Sequence, residues 1–352
     1  MSIKNRREVN SIDEVFVATD LVEEGLRNDF WREVTRPFYE TTPVIGGESP
    51  RLIGTIRSWQ VAGFQFGSVT FNAQRYTRDR RIITSSGLDQ YLIAVVTAGD
   101  MSGDFAGTGV RARSGDICVL DLMQVLQSEV SSGGMFSVLI PRRILAKATG
   151  HANLHGLILK AHLPMTKLLT AYLDGMRDLG GQLLDDEVAA IQDALVTLLA
   201  AAVRGEQPDG AGDLPPLSAA LRQRAMDFID ININNPDLSP DLVLQRFRVS
   251  RAHLYRAFAE DGGISSVIRG RRLDAAFLEL ARNDVTARSV TEIAFSLGFT
   301  NTTHFLRRFR TRFGLTPSEV RRERPSPQLT SEVQGHFRGV QRRVSSLTKE
   351  AT

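Results

Sequence analysis

The first half of the chain alternates apolar and polar residues with the period that is typical of β-strands. Turn signals such as Gly99-Asp100 and Ser114-Gly115-Asp116 separate the segments at the spacing expected of an antiparallel barrel or jelly roll. The alternating or continuously apolar segments are residues 68–73, 91–96, 117–120 and 136–140. The pattern predicts a barrel over about residues 50–145, after an amphipathic helix over residues 21–34.

From about Pro164 the apolar positions recur with helical spacing, and Gly180-Gly181 interrupts them. This predicts a helical hairpin over about residues 160–204. The second helix carries an apolar stripe at alternating steps of three and four residues, formed by Val188, Ile191, Leu195, Leu198 and Ala202. Such steps are typical of a coiled-coil seam and predict a homodimer. Packing of the stripe against the chain's own barrel is the alternative, and five positions do not decide between the two.

The last third of the chain contains an internal repeat with an offset of 51 residues. Residues 253–258 align with residues 304–309, and Gly263-Ile264-Ser265 aligns with Gly314-Leu315-Thr316. A short helical pattern and a turn precede each copy. The repeat therefore predicts two helix-turn-helix motifs, joined by a long helix over about residues 265–282.

In each copy, apolar residues four apart bury one face of the second helix and leave the opposite face to solvent. Ser250 and Asn301 are good N-caps for these helices. The exposed faces carry Ala252, Tyr255 and Arg256 in the first copy and Thr302, Thr303, Leu306 and Arg307 in the second. Such a face can enter a major groove while the helix start lies near phosphate. An ordinary helical domain with an arginine-rich surface is the alternative, but two equal helices suit successive groove faces about 34 Å apart.

Charge is distributed unevenly along a chain whose net charge is +3. Residues 217–324 hold 18 arginines, no lysine and 12 acidic residues, whereas residues 1–216 hold 21 basic and 26 acidic residues. Arginine combines a permanent charge with bidentate recognition of phosphate and guanine. Charge alone favours an ordinary solvated surface, so the excess supports DNA binding only together with the repeat.

Residues 217–324 resemble the DNA-binding domain of the AraC/XylS family of bacterial transcription regulators. The second half carries the family's signature: Ile293-Ala294, Gly298-Phe299, His304-Phe305, Arg307, Phe309, Phe313-Gly314, Thr316-Pro317 and Arg321. The first half carries Ser250, Leu254, Arg256, Phe258, Gly263 and Arg272-Leu273. Leu244 stands where the family usually has Ala, and Arg248 where it usually has a turn glycine. These departures concern the tightness of the first motif, not its presence.

The resemblance implies that the two exposed faces contact bases, and we add Arg251 and Asn301 at the helix starts as DNA-binding candidates. Arg256 and Arg307 could each make a bidentate guanine contact worth about 1–3 kcal/mol of discrimination, with phosphate as the alternative partner. The order of barrel, hairpin and DNA module is similar to that of family members whose N-terminal domain binds a small effector and dimerises. We therefore expect an activator whose partners are double-stranded DNA, RNA polymerase, a small-molecule effector and a second copy of the chain.

The effector and its binding residues cannot be read from the sequence, although a pocket at the barrel mouth is the expected place. Possible lining residues are Trp59, Phe64, Phe66, Phe71, Arg75 and Tyr91. Arg75 and the aromatic residues suggest an aromatic or carboxylate-bearing effector. A regulator without ligand control is the alternative function.

Enzyme functions are disfavoured by the residues that are missing. The chain has one cysteine, Cys118, and no histidine before His151, which argues against a metal-dependent barrel enzyme fused to the helix-turn-helix module and against a cysteine-based DNA-repair protein. No phosphate-cradling loop or Ser/His/Asp order stands out. We expect no catalytic residue, metal or cofactor. The cysteine usage and the lack of an apolar leader or spanning segment predict a cytoplasmic protein that does not enter a membrane.

Together the patterns predict a multidomain α+β protein: an N-terminal β-barrel or jelly-roll-like domain with a helical hairpin, and a C-terminal all-α domain with two helix-turn-helix motifs. The effector-sensing and dimerisation domain is placed at residues 1–204, a Gly- and Pro-rich linker at 205–216, and the DNA-binding domain at 217–324. Residues 325–352 are polar and are predicted to be a disordered tail, with a basic arm on DNA as the alternative.

Overall fold

The computed structural model describes residues 14–44, 49–61, 64–179, 185–206, 216–259, 261–281, 288–322 and 333–350. Its strands, numbered in chain order, form two antiparallel sheets. The larger sheet has the order β1 (Val15–Ala18), β3 (Gly54–Val61), β4 (Phe64–Phe71), β11 (Gly133–Pro141), β6 (Gln90–Ala98), β9 (Ile117–Asp121) and β12 (Leu157–Leu159). The smaller sheet has the order β2 (Glu40–Pro43), β5 (Gln74–Arg78), β10 (Leu126–Val130), β7 (Asp100–Phe105) and β8 (Thr108–Arg113).

The larger sheet is buried on both faces, which explains the continuous apolar runs in its central strands. In β9 the side chains of Cys118 and Leu120 lie in the core between the two sheets, whereas Ile117 and Val119 belong to a second core on the outer face. A strand covered on one side only would alternate apolar and polar residues instead. The sheets therefore enclose one core and offer a second surface for helices.

A helical hairpin, α4 (Pro164–Leu179) and α5 (Asp185–Glu206), covers the outer face of the larger sheet. Leu195 and Ala202 on α5 are buried in the same core as the sheet residues, and Ile191 and Leu198 pack at its margin. The predicted dimer seam is therefore wrong for these four residues, because their apolar stripe packs on the chain's own barrel. The side chain of Val188 lies outside the described part.

The C-terminal helices form two small cores joined by one long helix. The first core lies among α6 (Pro216–Ile231), α7 (Pro240–Phe247) and α8 (Arg251–Ala257), and the second among α10 (Val290–Ser296), α11 (Thr302–Phe313) and α12 (Pro317–Arg322). Helix α9 (Ile264–Ala281) contributes Ile268 to the first core and Phe277 to the second. Two helix-turn-helix motifs are thus held at the two ends of α9.

Three shorter helices complete the N-terminal part: α1 (Arg27–Thr35), α2 (Arg80–Ser86) and α3 (Arg142–Ala148). The opening helix begins at Arg27 rather than at residue 21, because residues 19–26 form two short 3₁₀ turns. Trp31 of α1 is fully buried against the barrel.

The end of the chain forms a helix, α13 (Val333–Glu350), that packs against α1 and the edge strands β1 and β3. Val333, Phe337 and Val340 are buried in the core between the two sheets. The prediction of a disordered tail is therefore wrong for residues 333–350, and so is the alternative of a loose basic arm. Apolar residues at helical spacing supply enough buried surface to hold the helix in place.

The fold class predicted from the sequence is confirmed: a sheet-rich N-terminal domain with a helical hairpin precedes an all-helical region with two helix-turn-helix motifs. Among the helices in the described ranges, none combines the length and the apolar character needed to cross a membrane.

Candidate DNA-binding surface

The first helix-turn-helix motif consists of α7, a tight turn and α8. Ser239 caps α7 by accepting a hydrogen bond from the Leu242 amide, and Ser250 caps α8 through the His253 amide. Between the helices, Arg248 adopts the left-handed backbone conformation with φ +52°. A side chain there costs free energy that glycine does not, so the departure from the family pattern is accommodated as local strain.

The second motif consists of α10, a turn and α11, and its turn contains a glycine. Ser289 and Glu292 form a capping box at the start of α10, in which each side chain accepts from the other residue's backbone N–H. Hydrogen bonds from the backbone N–H and the hydroxyl of Ser289 favour the charged carboxylate of Glu292, so its pKa is lowered. Gly298 takes φ +75° in the turn, and Asn301 caps α11 through the His304 amide.

Buried aromatic residues hold α11 more firmly than α8 is held. Phe305 and Phe309 are fully buried, with ring centroids 5.5 Å apart, and Phe309 lies 4.7 Å from the ring of Phe313. In α8 the equivalent buried residues are Leu254 and Phe258. These side chains fix which face of each helix points outward.

The outward faces carry the residues expected from the sequence. In α8, Tyr255 is 42% exposed, and in α11, Leu306 is 39% exposed, although both are large and partly apolar. Thr302 is half-buried, and the other predicted contacts are exposed: Arg251, Ala252, Arg256, Asn301, Thr303 and Arg307. The structure therefore presents each predicted set on one accessible helix face.

The arginines of the C-terminal region fall into two groups. Arg222 pairs with Asp261 at 3.0 Å, and Arg312 pairs with Asp274 at 2.7 Å, so these guanidinium groups stabilise the fold. Among the described residues, neither Arg256 nor Arg307 has a hydrogen-bond partner for its guanidinium group. An exposed guanidinium without a protein partner is available to a guanine edge or a phosphate.

Arg251 differs from the other two recognition arginines. Its guanidinium contacts the Asp241 carboxylate at 2.8 Å, and both side chains are mostly exposed. An exposed pair of this kind is worth little and is screened by salt. Arg251 can therefore exchange Asp241 for a phosphate at small cost.

Arg272 on α9 links the two motifs, a role that the sequence did not reveal. Its guanidinium donates to the carbonyls of Asn235, Pro236 and Leu238 beside the first motif and to the Gly298 carbonyl in the second turn. Burial lowers the pKa of Arg272. A Cβ atom at position 298 would lie 2.4 Å from the Arg272 guanidinium, which explains why this turn carries glycine.

The barrel contacts the DNA-binding region away from the recognition faces. Arg80 of α2 donates to the Arg312 carbonyl near the end of α11, and Ile83 of α2 is part of the second helical core. On the other side, Arg222 of α6 donates to the Gly150 carbonyl at 2.6 Å. The recognition faces stay exposed with the barrel in place, so both are free to meet a ligand.

Between its two sheets the barrel contains a partly open cavity of about 110 Å³. Of the effector candidates, Phe66 and Phe71 line it, whereas Trp59, Phe64 and Tyr91 belong to the core under the hairpin. Arg75 lies outside, paired with Glu129 on an exposed face, so it gives no support to a carboxylate-bearing effector. Several lining residues were not among the sequence candidates, and their positions depend on long-range pairing: Trp31, Phe38, Tyr39, Gln65 and Phe337.

Comparisons with known proteins match both parts of the chain. Residues 243–323 match the family model of a helix-turn-helix domain, and residues 47–204 match that of an AraC-binding-like domain. The regulatory protein SoxS of Salmonella typhimurium is 35% identical over 101 residues, which are 28% of this chain and 91% of SoxS. The chain belongs to the AraC/XylS family of transcription regulators.

Other AraC/XylS relatives agree with this assignment. The XylDLEGF operon transcriptional activator 1 of Pseudomonas putida is 30% identical over 112 residues, which are 31% of this chain and 34% of the relative. The chain thus matches about a third of the length of that relative. The crystal structure of the AraC-like transcriptional activator CuxR has a TM-score of 0.53 at 20% identity, covers 76% of this chain and 96% of CuxR, and shares the fold. SoxS is named as a regulatory protein and the Pseudomonas putida relative as a transcriptional activator, in agreement with the prediction of a regulator rather than an enzyme.

Proposed function

We propose that this AraC/XylS regulator is a cytoplasmic activator that reads duplex DNA through α8 and α11. The observation that carries the proposal is the pair of exposed helix faces, each with a guanidinium group that has no protein partner among the described residues. The base-facing set is Ala252, Tyr255, Arg256, Thr302, Thr303, Leu306 and Arg307, with Arg251 and Asn301 at the helix starts. The proposed division is residues 1–204 for sensing and 217–324 for DNA binding.

The barrel cavity is the proposed effector site. It is small, partly open and mostly apolar, and it carries a few polar side chains such as Ser58 and Gln65, which is the kind of lining that small-molecule sites have. The match of residues 47–204 to an AraC-binding-like domain supports the same assignment. Activation through RNA polymerase is proposed because the relatives from Pseudomonas putida and the protein CuxR are named as activators.

A homodimer is part of the proposal, although its interface is not the stripe from Ile191 to Ala202. We propose the outer face of the α4–α5 hairpin for this interface, where the large apolar side chain of Leu168 on α4 is 57% exposed. Sedimentation of Leu168→Asp against the wild-type chain tests this surface. If Leu168→Asp sediments as a dimer like the wild type, this surface is not the dimer interface.

The DNA-binding part is tested by selecting sites for the full-length chain from a random DNA library, over a range of salt concentrations. We expect one enriched motif and an affinity that falls steeply as salt rises. A reporter gene that carries the enriched motif upstream of a weak promoter then tests activation. No enriched motif at any salt concentration would remove the DNA-reading proposal, and lower reporter output would replace activation with repression.

A further inference from the structure

Helix α13 lines the barrel cavity. Val333, Phe337 and Val340 occupy one face of α13 and are 5%, 4% and 2% exposed in the barrel core, and Val333 and Phe337 line the cavity itself. The Phe337 ring lies 6.4 Å from the ring of Phe38. On the opposite face Arg342 is exposed. A segment that follows the DNA-binding domain in sequence thus supplies one wall of the effector cavity.

A buried polar contact adds specificity to this docking. Gln334 of α13 is fully buried, accepts a hydrogen bond from the Gln65 amide at 3.2 Å and donates to the Ser58 carbonyl at 3.2 Å. Ser58 and Gln65 both line the cavity. His336 next contacts the Glu33 carbonyl of α1 at 2.9 Å. The helix therefore occupies a polar group that a ligand inside the barrel would otherwise use.

The size and chemistry of the cavity limit what it can hold while α13 is docked. Its volume of about 110 Å³ is smaller than the cavity of about 150 Å³ that holds benzene in another protein. None of its described lining residues is charged, and transferring an unpaired charge into such a site is costly. The Phe337 side chain is one of the groups that limit the space for a larger ligand.

We propose that α13 competes with the effector for the barrel cavity. The effector is an apolar, uncharged molecule larger than a single ring, with an acceptor for the Gln65 amide, and it binds when Phe337 and Gln334 leave the mouth of the barrel. This inference rests on the proposed effector site. Effector binding and α13 docking then oppose each other by the same factor.

The competition is tested with N-phenyl-1-naphthylamine, an uncharged apolar dye that fluoresces when it leaves water. The dye is titrated into the full-length wild type, into Phe337→Ala and into a chain that ends at residue 332. We expect both altered proteins to bind it at least about tenfold more tightly. Arg342→Ala, on the exposed face of the same helix, is the matched control and should bind like the wild type. Phe337→Ala keeps the helix, so its dye affinity still tests the competition if the shortened chain does not fold.

Hydrogen exchange of the wild type at saturating dye separates competition from closure. Faster exchange of the amides in residues 333–343 is expected, because bound dye displaces α13. Slower exchange would show that α13 closes over the ligand and would overturn the competition. Equal dye affinity in the wild type and both altered proteins would overturn the competition while leaving the effector site in place. No dye binding to any of the proteins would overturn both proposals.

Discussion

The two helix-turn-helix motifs share one plan, yet their turns and anchors differ. The first turns through Arg248 at φ +52° and anchors α8 with Leu254 and Phe258. The second turns through Gly298, begins α10 with a capping box and anchors α11 with three aromatic rings. The two motifs thus share an exposed helix face but not the means of holding it. We infer that the second motif is the more rigid reader and the first the more strained one.

The two motifs are not independent, because Arg272 donates to a carbonyl in the second turn and to carbonyls in the loop just before α7. A substitution in the second turn should therefore also lower the stability of the first motif at its start. A substitution in the first turn lacks this connection to α11. Variants that change one anchor at a time test whether the two motifs differ in rigidity.

The largest effect is expected from removing an aromatic anchor. Phe309→Ala should lower the local free energy of unfolding of α11 by about 3–5 kcal/mol, since a fully buried ring is lost. The matched variant Phe258→Ala should cost α8 about 1 kcal/mol less, because Phe258 lacks the neighbouring rings of Phe305 and Phe313. Hydrogen exchange of the two helices measures both values. Equal costs would contradict the claim that aromatic contacts make the second motif firmer.

Gly298→Ala should have the next largest effect, about 2–4 kcal/mol on the second motif. Alanine at φ +75° costs about 1–2 kcal/mol, and its Cβ displaces the Arg272 guanidinium from its carbonyl partners. Gly263→Ala is the control, because Gly263 has φ +90° but open space around its Cβ position. Gly263→Ala should therefore lose only the free energy that the left-handed backbone conformation costs an alanine. If both variants lose the same stability, the Arg272 contact contributes nothing.

A smaller effect of opposite sign is expected in the first turn. Arg248→Gly should stabilise the first motif by about 0.5–1 kcal/mol, because glycine adopts the left-handed conformation without strain. Arg246→Gly, two residues earlier in the last turn of α7, should instead destabilise it by about 1 kcal/mol. Urea unfolding followed by circular dichroism compares the two. A loss of stability in Arg248→Gly would show that no strain is stored at this turn.

The smallest expected effect is a pH dependence confined to the second motif. The pKa of Glu292 is lowered in the folded chain by its hydrogen bonds to Ser289. A depressed pKa stabilises the fold above the unfolded pKa, and this contribution is lost as pH falls through the folded value. Exchange of α10 should therefore accelerate more than exchange of α7 between about pH 6 and about pH 3. Leu242 occupies the equivalent position in α7, and Glu292→Gln should abolish the difference.

Local features of the fold were predictable because nearby residues determine them. Residues 68–71 of the predicted alternating segment lie in β4, and the buried run over 91–96 lies in β6. Ser250 and Asn301 cap α8 and α11 as their residue types suggest. The exposed recognition faces followed from apolar spacing alone, since four-residue steps fix which side of a helix is buried.

The features that were missed depend on partners far away in sequence. The stripe containing Leu195 predicts a buried face, but periodicity does not say whether a second copy or the chain's own barrel covers it. Val333 and Phe337 are two of only a few apolar residues in a polar tail. The residues against which they pack lie some 300 positions earlier in the sequence. Arg272 gives no sign in the sequence that backbone carbonyls surround it.

The most direct test of DNA reading by two faces is site selection with the full-length wild type, Arg256→Ala, Arg307→Ala and Arg111→Ala. Arg111 lies exposed on the barrel strand β8, so its loss controls for charge alone. We expect a bipartite motif in which Arg307→Ala relaxes the base preference of one half, Arg256→Ala relaxes that of the other half, and Arg111→Ala changes neither. An unchanged motif with uniformly weaker binding in both recognition variants would contradict the account, because the two arginines would then contact phosphate only.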